Sequence, residues 1–200
     1  MDNITRVSIV RHGETEWNLE DKMQGILDSP LTPKGIALAK ELGEKLTGMK
    51  FSSIYTSDLG RAWDTAKYIN EKLNLEIVPD KRLRERDMGI FATHDWAYVK
   101  EHYPEDFKKA VSDDMEYRIP DGQSKQDYVQ QIQEFMTFVT EQHPGENILV
   151  VTHRGWVDFF MRLVLGISVN ARRCFKVGNT SLNVFSFEKG RWMLERFGDL

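Results

Sequence analysis

Val7-Ser8-Ile9-Val10-Arg11-His12-Gly13-Glu14 opens on a short, mostly β-branched run and breaks abruptly into charge. A run of that length and composition reads as a buried strand, and the glycine after the histidine lets backbone approach closely. The same sentence is written again near the other end of the chain. Asn147-Ile148-Leu149-Val150-Val151-Thr152 is the strongest central-strand signal, and it runs into His153-Arg154-Gly155. Two buried strands, each ending in histidine, arginine and glycine, set the frame for everything between them.

Working outward, Thr32-Pro33 starts a helix, with threonine as N-cap and proline at the first helical position. Leu38, Leu42, Leu46 and Met49 follow at helical spacing. Phe51 to Tyr55 reads as a second strand, and Ser57-Asp58 as the cap of a helix carrying Ala62, Ala66, Ile69 and Leu73. Leu75 to Val78 gives a further strand. Ser124 with Asp127 forms a capping-box-like pair ahead of the stripe Tyr128, Ile132, Phe135 and Val139. Trp156 to Leu165 is the helix after the central strand, stopped by Gly166, and Ser181–Phe187 with Trp192–Phe197 reads as a hairpin. Alternating strands and helices imply an α/β three-layer sandwich, a mostly parallel sheet flanked by helices. Residues 87–123 break the rhythm and read as a short, partly helical cap inserted in a single domain spanning 1–200.

The 200 residues carry 27 lysines and arginines against 31 acidic residues, a formal charge of −4. That balance argues against nucleic acid or an anionic membrane as partner, but leaves room for a small positive pocket. One cysteine, Cys174, excludes a disulfide framework and a cysteine-built zinc site, and fits a reducing, cytoplasmic setting. No signal peptide or membrane span is visible.

Ligands of open parallel sheets bind beyond the carboxyl ends of the strands, where both His12 and His153 fall. An arginine fork matches phosphate oxygens, and a neutral imidazole attacks phosphorus when its other nitrogen is held protonated. Arg61 follows Ser57-Asp58 in the first turn of a helix, where free N–H groups already favour an anion. Two histidines and an arginine past strand ends can converge on one dianion.

With these residues assembled, the chain resembles the histidine phosphatase superfamily, the phosphoglycerate-mutase-like family. Arg11-His12-Gly13-Glu14-Thr15 with Trp17-Asn18 looks like its signature, followed by Gln24-Gly25, Asp28-Ser29-Pro30-Leu31-Thr32 and Gly35. Tyr55 to Ala62 with Thr65-Ala66, Leu83-Arg84-Glu85 with Gly89, and Val151-Thr152-His153 match later blocks in the expected order. The resemblance implies His12 as nucleophile through a phosphohistidine. It implies Arg11, Arg61 and His153 as the phosphoryl-binding and charge-stabilising groups, His153 also counting as catalytic, with Asn18 in support. Glu85 is implied as the acid that protonates the leaving oxygen and then activates water. Neither cofactor nor metal is called for.

Three departures stand out. Arg154 occupies a position where the family usually has glycine, and reads either as another anion contact or as a side chain turned away at the helix start. Gln123 replaces a usual glutamate, and Ile90-Phe91-Ala92-Thr93 replaces a tryptophan-glutamate-glycine run. Gln24 and Arg154 are candidate substrate contacts. His94, Asp95 and His102 read as a solvated face rather than a substrate contact. Trp96, Tyr98 and Tyr103 serve equally as packing or as a substrate wall. Arg82, Arg84 and Arg86 form a basic run from which any one could reach a second anion.

The reading is therefore a metal-independent phosphomonoesterase for a small phosphorylated metabolite. The alternatives are a cofactor-dependent phosphoglycerate mutase and a phospho-ligand-binding relative without turnover. Mutases are usually longer and carry Arg-His-Tyr-Gly after the acid, where this chain has Arg86-Asp87-Met88-Gly89.

Overall fold

The structure, a computed structural model, describes residues 4–199. One six-stranded sheet is built from β1 (Thr5–Arg11), β2 (Ile54–Thr56), β3 (Ile77–Pro79), β4 (Asn147–Thr152), β5 (Leu182–Glu188) and β6 (Arg191–Asp199). Their spatial order is β3-β2-β4-β1-β5-β6. The pairings β1–β4, β4–β2 and β2–β3 are parallel, while β5 and β6 add an antiparallel edge. The β5–β6 hairpin turns on Lys189 and Gly190, both at positive φ (51° and 77°), which matches the right-handed twist of the strands it joins.

Helices cover both faces. They are α1 (Glu16–Leu19), α2 (Pro33–Leu46), α3 (Gly60–Leu73), α4 (Trp96–His102), α5 (Pro104–Ala110), α6 (Lys125–Gln142) and α7 (Arg154–Leu165). The period-two alternation of β4 decides the layering. Ile148 and Val150 join Ile132, Phe135, Trp156 and Phe160 beneath α6 and α7, whereas Leu149 and Val151 join Leu42, Leu46, Ala62, Ala66 and Ile69 beneath α2 and α3. Each large apolar side chain buried this way contributes about 1.5–3 kcal/mol. The expected three-layer α/β sandwich is thus present.

Caps follow chemistry, with one correction. Thr32 accepts from Gly35 N and Ser124 from Asp127 N, as the sequence suggests. Ser57-Asp58, however, does not cap α3. Its N-cap is Leu59, and the orphan N–H groups of Gly60 and Arg61 donate to the Asp28 carboxylate at 2.7 and 3.2 Å. Met49 also misses its expected place: α2 has already ended at Leu46, and Met49 is exposed. Small residues Gly35, Ala39 and Gly43 complete the buried face of α2 instead. The helix after β4 begins two residues earlier than expected, so Arg154 and Gly155 lie in its first turn.

Residues 87–123 contain a short 3-10 turn (Gly89–Phe91), α4 and α5. Phe91, Val99, Ala110 and Ile119 close a small core of their own, joined by Met23 from the loop after α1. Met23 N donates to His94 O and Thr93 N donates to Met23 O, at 2.9 and 2.7 Å, tying that loop to the segment.

Candidate active site

Parallel register brings three strand ends level. Arg11 lies opposite Thr152 and Thr56 opposite Val151, so His12, His153 and Ser57 emerge side by side. His12 N donates to Thr152 O at 2.8 Å and Ser57 N to Val151 O at 3.0 Å, continuing the ladder one residue past the strands. Gly13 is required by crowding: a Cβ there would sit 2.9 Å from the Gly35 carbonyl oxygen.

His12 and His153 are buried, with ring centroids 5.3 Å apart. The contact of His12 Nδ1 with the Gly13 carbonyl, at 2.7 Å, fixes the tautomer, because a carbonyl only accepts. Nε2 is left with its lone pair. Ser57 Oγ accepts from Leu59 N at 3.3 Å and shares a 2.8 Å hydrogen bond with His153 Nε2, a contact that either tautomer of the ring can make. Burial, then Arg61, then the neighbouring residues Arg11 and His12 respectively, push both imidazoles well below the usual histidine range. Both rings are neutral at neutral pH.

Arg11 donates to Val177 O at 2.9 Å, and burial followed by the charge of Arg154 pushes it down to about 10. Arg61 is anchored more heavily, through Leu27 O, Gly25 O and the Asp28 carboxylate at 2.6, 2.7 and 2.8 Å. Burial lowers its pKa while Asp28 and Glu85 oppose the shift. Arg11 Nε, Arg61 Nε and His153 Nδ1 are all buried without a hydrogen-bond partner among the described residues. Unsatisfied buried polar groups are costly, and two guanidinium donors among them beside a neutral imidazole mark a place for an anion.

Glu85 joins this group from the loop after β3. Tyr128 Oη and Arg86 N donate to its Oε1 at 2.8 and 3.0 Å, and Gly155 N to its Oε2 at 3.0 Å. A Cβ on Gly155 would displace this carboxylate.

The remaining expected residues divide. Asn18 Oδ1 accepts from Thr15 N and from Asn179 Nδ2, and Asn179 also donates to His12 O at 3.0 Å. Gln24 donates to Thr15 Oγ1 at 2.7 Å, while its Oε1 is buried with no partner among the described residues. Arg154 is half-buried, close enough to Arg11 to influence it, and forms no ion pair among the described residues. Gln123 clips the loop carrying Glu85: its Oε1 accepts from Asp87 N and its carbonyl from Arg86.

Arg82 and Arg84 are committed elsewhere, to Asp80 and Asp58. His94 and His102 stack on Tyr98 at 4.0 and 3.8 Å, consistent with a surface role. Ser57, Asp28, Tyr128 and Asn179 are the participants that sequence reasoning missed. Ser57 and Asp28 stand inside the quoted motif blocks, whereas Tyr128 carried only a core signal and Asn179 carried none. Among the described residues, no group of three or more His, Cys, Asp or Glu side chains is placed to hold a metal ion, and no helix is long and apolar enough to cross a membrane.

A neutral imidazole with a free nitrogen beside two buried arginines, both of which feel a nearby carboxylate, is equipped for phosphoryl chemistry. Comparisons agree. A probable phosphoglycerate mutase GpmB of Salmonella arizonae is 32% identical over 188 residues, 94% of this chain and 87% of the relative. Among solved structures, YhfR of Bacillus stearothermophilus superposes with a TM-score of 0.89 at 30% identity, covering 98% of both chains. A phosphoserine phosphatase of Entamoeba histolytica, in complex with 3-phosphoglyceric acid, gives 0.87 at 28% identity over 98% of each chain. The model of the histidine phosphatase superfamily (branch 1) matches residues 7–200, and the chain belongs to that family.

Proposed function

We propose that the protein is a phosphomonoesterase acting on a small phosphorylated metabolite through a phosphohistidine at His12, in one domain whose 87–123 segment caps the site. The observation that carries this reading is the His12 tautomer: Nδ1 is spent on Gly13 O, and Nε2 stands free beside the buried arginines Arg11 and Arg61, whose Nε donors have no partner among the described residues. His12 Nε2 attacks phosphorus as the ester P–O bond breaks, and the leaving oxygen takes a proton from Glu85. Arg11, Arg61 and His153 hold the non-bridging oxygens, with Asn18 steadying the loop beside them and Gln24 and Arg154 at the substrate's edge. Water then bonds to phosphorus, Glu85 takes its proton, and the P–N pair returns to Nε2. The step draws on no cofactor or metal. The lone Cys174 fits a reducing, cytoplasmic setting.

Release of phosphate from p-nitrophenyl phosphate in excess chelator, lost in His12→Ala, is the expected result. Acid-labile labelling of wild type but not His12→Ala identifies the intermediate. Turnover surviving in His12→Ala rules out this nucleophile. A second reading, phosphoryl return to product, is favoured by the name of the curated relative. Rapid exchange of 3- and 2-phosphoglycerate with little phosphate released would replace hydrolysis by mutase activity.

A further inference from the structure

We infer that Tyr128 is a positioning residue that locks Glu85 so that Oε2 alone carries the transferred proton; this rests on Glu85 acting as acid and base. A carboxylate offers roughly two acceptor sites on each oxygen. Tyr128 Oη at 2.8 Å and Arg86 N at 3.0 Å fill those of Oε1. Gly155 N at 3.0 Å fills one on Oε2, which leaves a single open site, also on Oε2. That oxygen is tied to the first turn of α7, next to His153 and Arg154, and Arg11 and Arg61 both feel the carboxylate's charge.

Tyr128 suits this task. It is fully buried on α6, and burial together with Glu85 raises its phenol well above the usual range, so it stays a neutral donor. In the first half-reaction the Oε2–H bond breaks, its electron pair remains on the carboxylate, and the proton goes to the leaving oxygen as that oxygen's bond to phosphorus breaks. In the second, a proton of the attacking water returns to Oε2. Removing the phenol hydroxyl opens a competing proton site on Oε1 and removes a donor from the ionised form.

Tyr128→Phe keeps the ring and its edge contact with Phe159 at 5.3 Å, so the core packing survives. The experiment compares kcat/KM for phenyl phosphate, whose leaving group needs a proton, with that for p-nitrophenyl phosphate, whose leaving group hardly does. Tyr128→Phe is expected to lose about tenfold on the first and less than about threefold on the second. Its high-pH limb should also move to higher pH. Glu85→Gln, run beside it, should show the same leaving-group selectivity more strongly, and Tyr128→Phe should add nothing in that background.

Equal losses on both substrates, or an unmoved limb, would reduce Tyr128 to packing while leaving Glu85 intact. Loss of selectivity in Glu85→Gln itself would remove the acid assignment and this inference with it. If Tyr128→Phe melts well below wild type, Gly155→Ala supplies the second disturbance, because its methyl displaces the same carboxylate. Absence of leaving-group selectivity there overturns the lock.

Discussion

Asn179 joins two parts of the site through one amide nitrogen, donating to the carbonyl of His12 and to Asn18 Oδ1 at 3.0 and 3.1 Å. Both acceptors lie on the segment that presents the imidazole. Asn179→Ala should therefore lower kcat/KM by about tenfold, the scale of one or two lost hydrogen bonds, with a small change in melting temperature. Asn179→Asp should be worse, since a carboxylate there faces two acceptor oxygens and repels a phosphate; parity with alanine would show that the amide only fills space. Arg154 makes a different kind of claim. It is a half-buried cation beside Arg11 with no ion-pair partner among the described residues, and its proposed partner is a second anionic group on the substrate. Arg154→Ala should raise KM about tenfold for 3-phosphoglycerate and less than about threefold for glycerol 1-phosphate, which has a hydroxymethyl group in place of the carboxylate. Equal effects on the two would show that Arg154 does not read that group.

The helix start at α3 shows how a long-range contact governs a local element. Asp28 accepts from Gly60 N and Arg61 N, capping α3, and pairs with the Arg61 guanidinium at 2.8 Å. Asp28→Ala should cost about 1–2 kcal/mol of stability by uncapping the helix, seen in chemical denaturation, and should weaken phosphate binding by loosening Arg61. Asp28→Asn keeps an acceptor for the N–H groups and loses the charge, so stability should recover more than phosphate affinity. Parallel recovery of both would mean that the cap and the arginine anchor are one effect. The same case explains what could be read from the chain alone. β1, β4 and the stripe of α6 were legible because periodicity and burial are local properties of the sequence. The cap of α3 was not, because its partner lies 32 residues away and Ser57-Asp58 offered a plausible local substitute. Tyr128 hid for a related reason: its ring obeys the core period, and nothing in that period announces that the hydroxyl reaches Glu85. Motif blocks brought together His12, His153, Arg11, Arg61 and Glu85, while the groups that aim them came from elsewhere in the fold.

Within a chain of net charge −4, one site gathers two buried arginines and two neutral histidines. Both imidazoles have folded-state pKa values well below the ordinary 6.5, so the unfolded chain binds protons there that the native state refuses. Stability should accordingly fall as pH drops below about 6.5, by up to about 1.4 kcal/mol per pH unit for each histidine until its folded pKa is reached. Asp58, lowered by Arg84, and Glu14, lowered by Lys34, add their own losses only nearer their ordinary values of 3.8 and 4.5. The interval from about pH 4.5 to 6.5 therefore isolates the histidines. An oxyanion bound against Arg11 and Arg61 offsets the charges that help exclude protons from the rings. Sulfate, a dianion throughout this range, should stabilise the protein more at pH 5.5 than at pH 8. His12→Gln, which cannot titrate, should flatten the loss of stability on acidification by about half. Denaturant midpoints measured at several pH values with and without sulfate decide the matter. A profile flat from pH 6.5 to 4.5, or unchanged by His12→Gln, would show that the buried imidazoles are not what links this site to the stability of the fold.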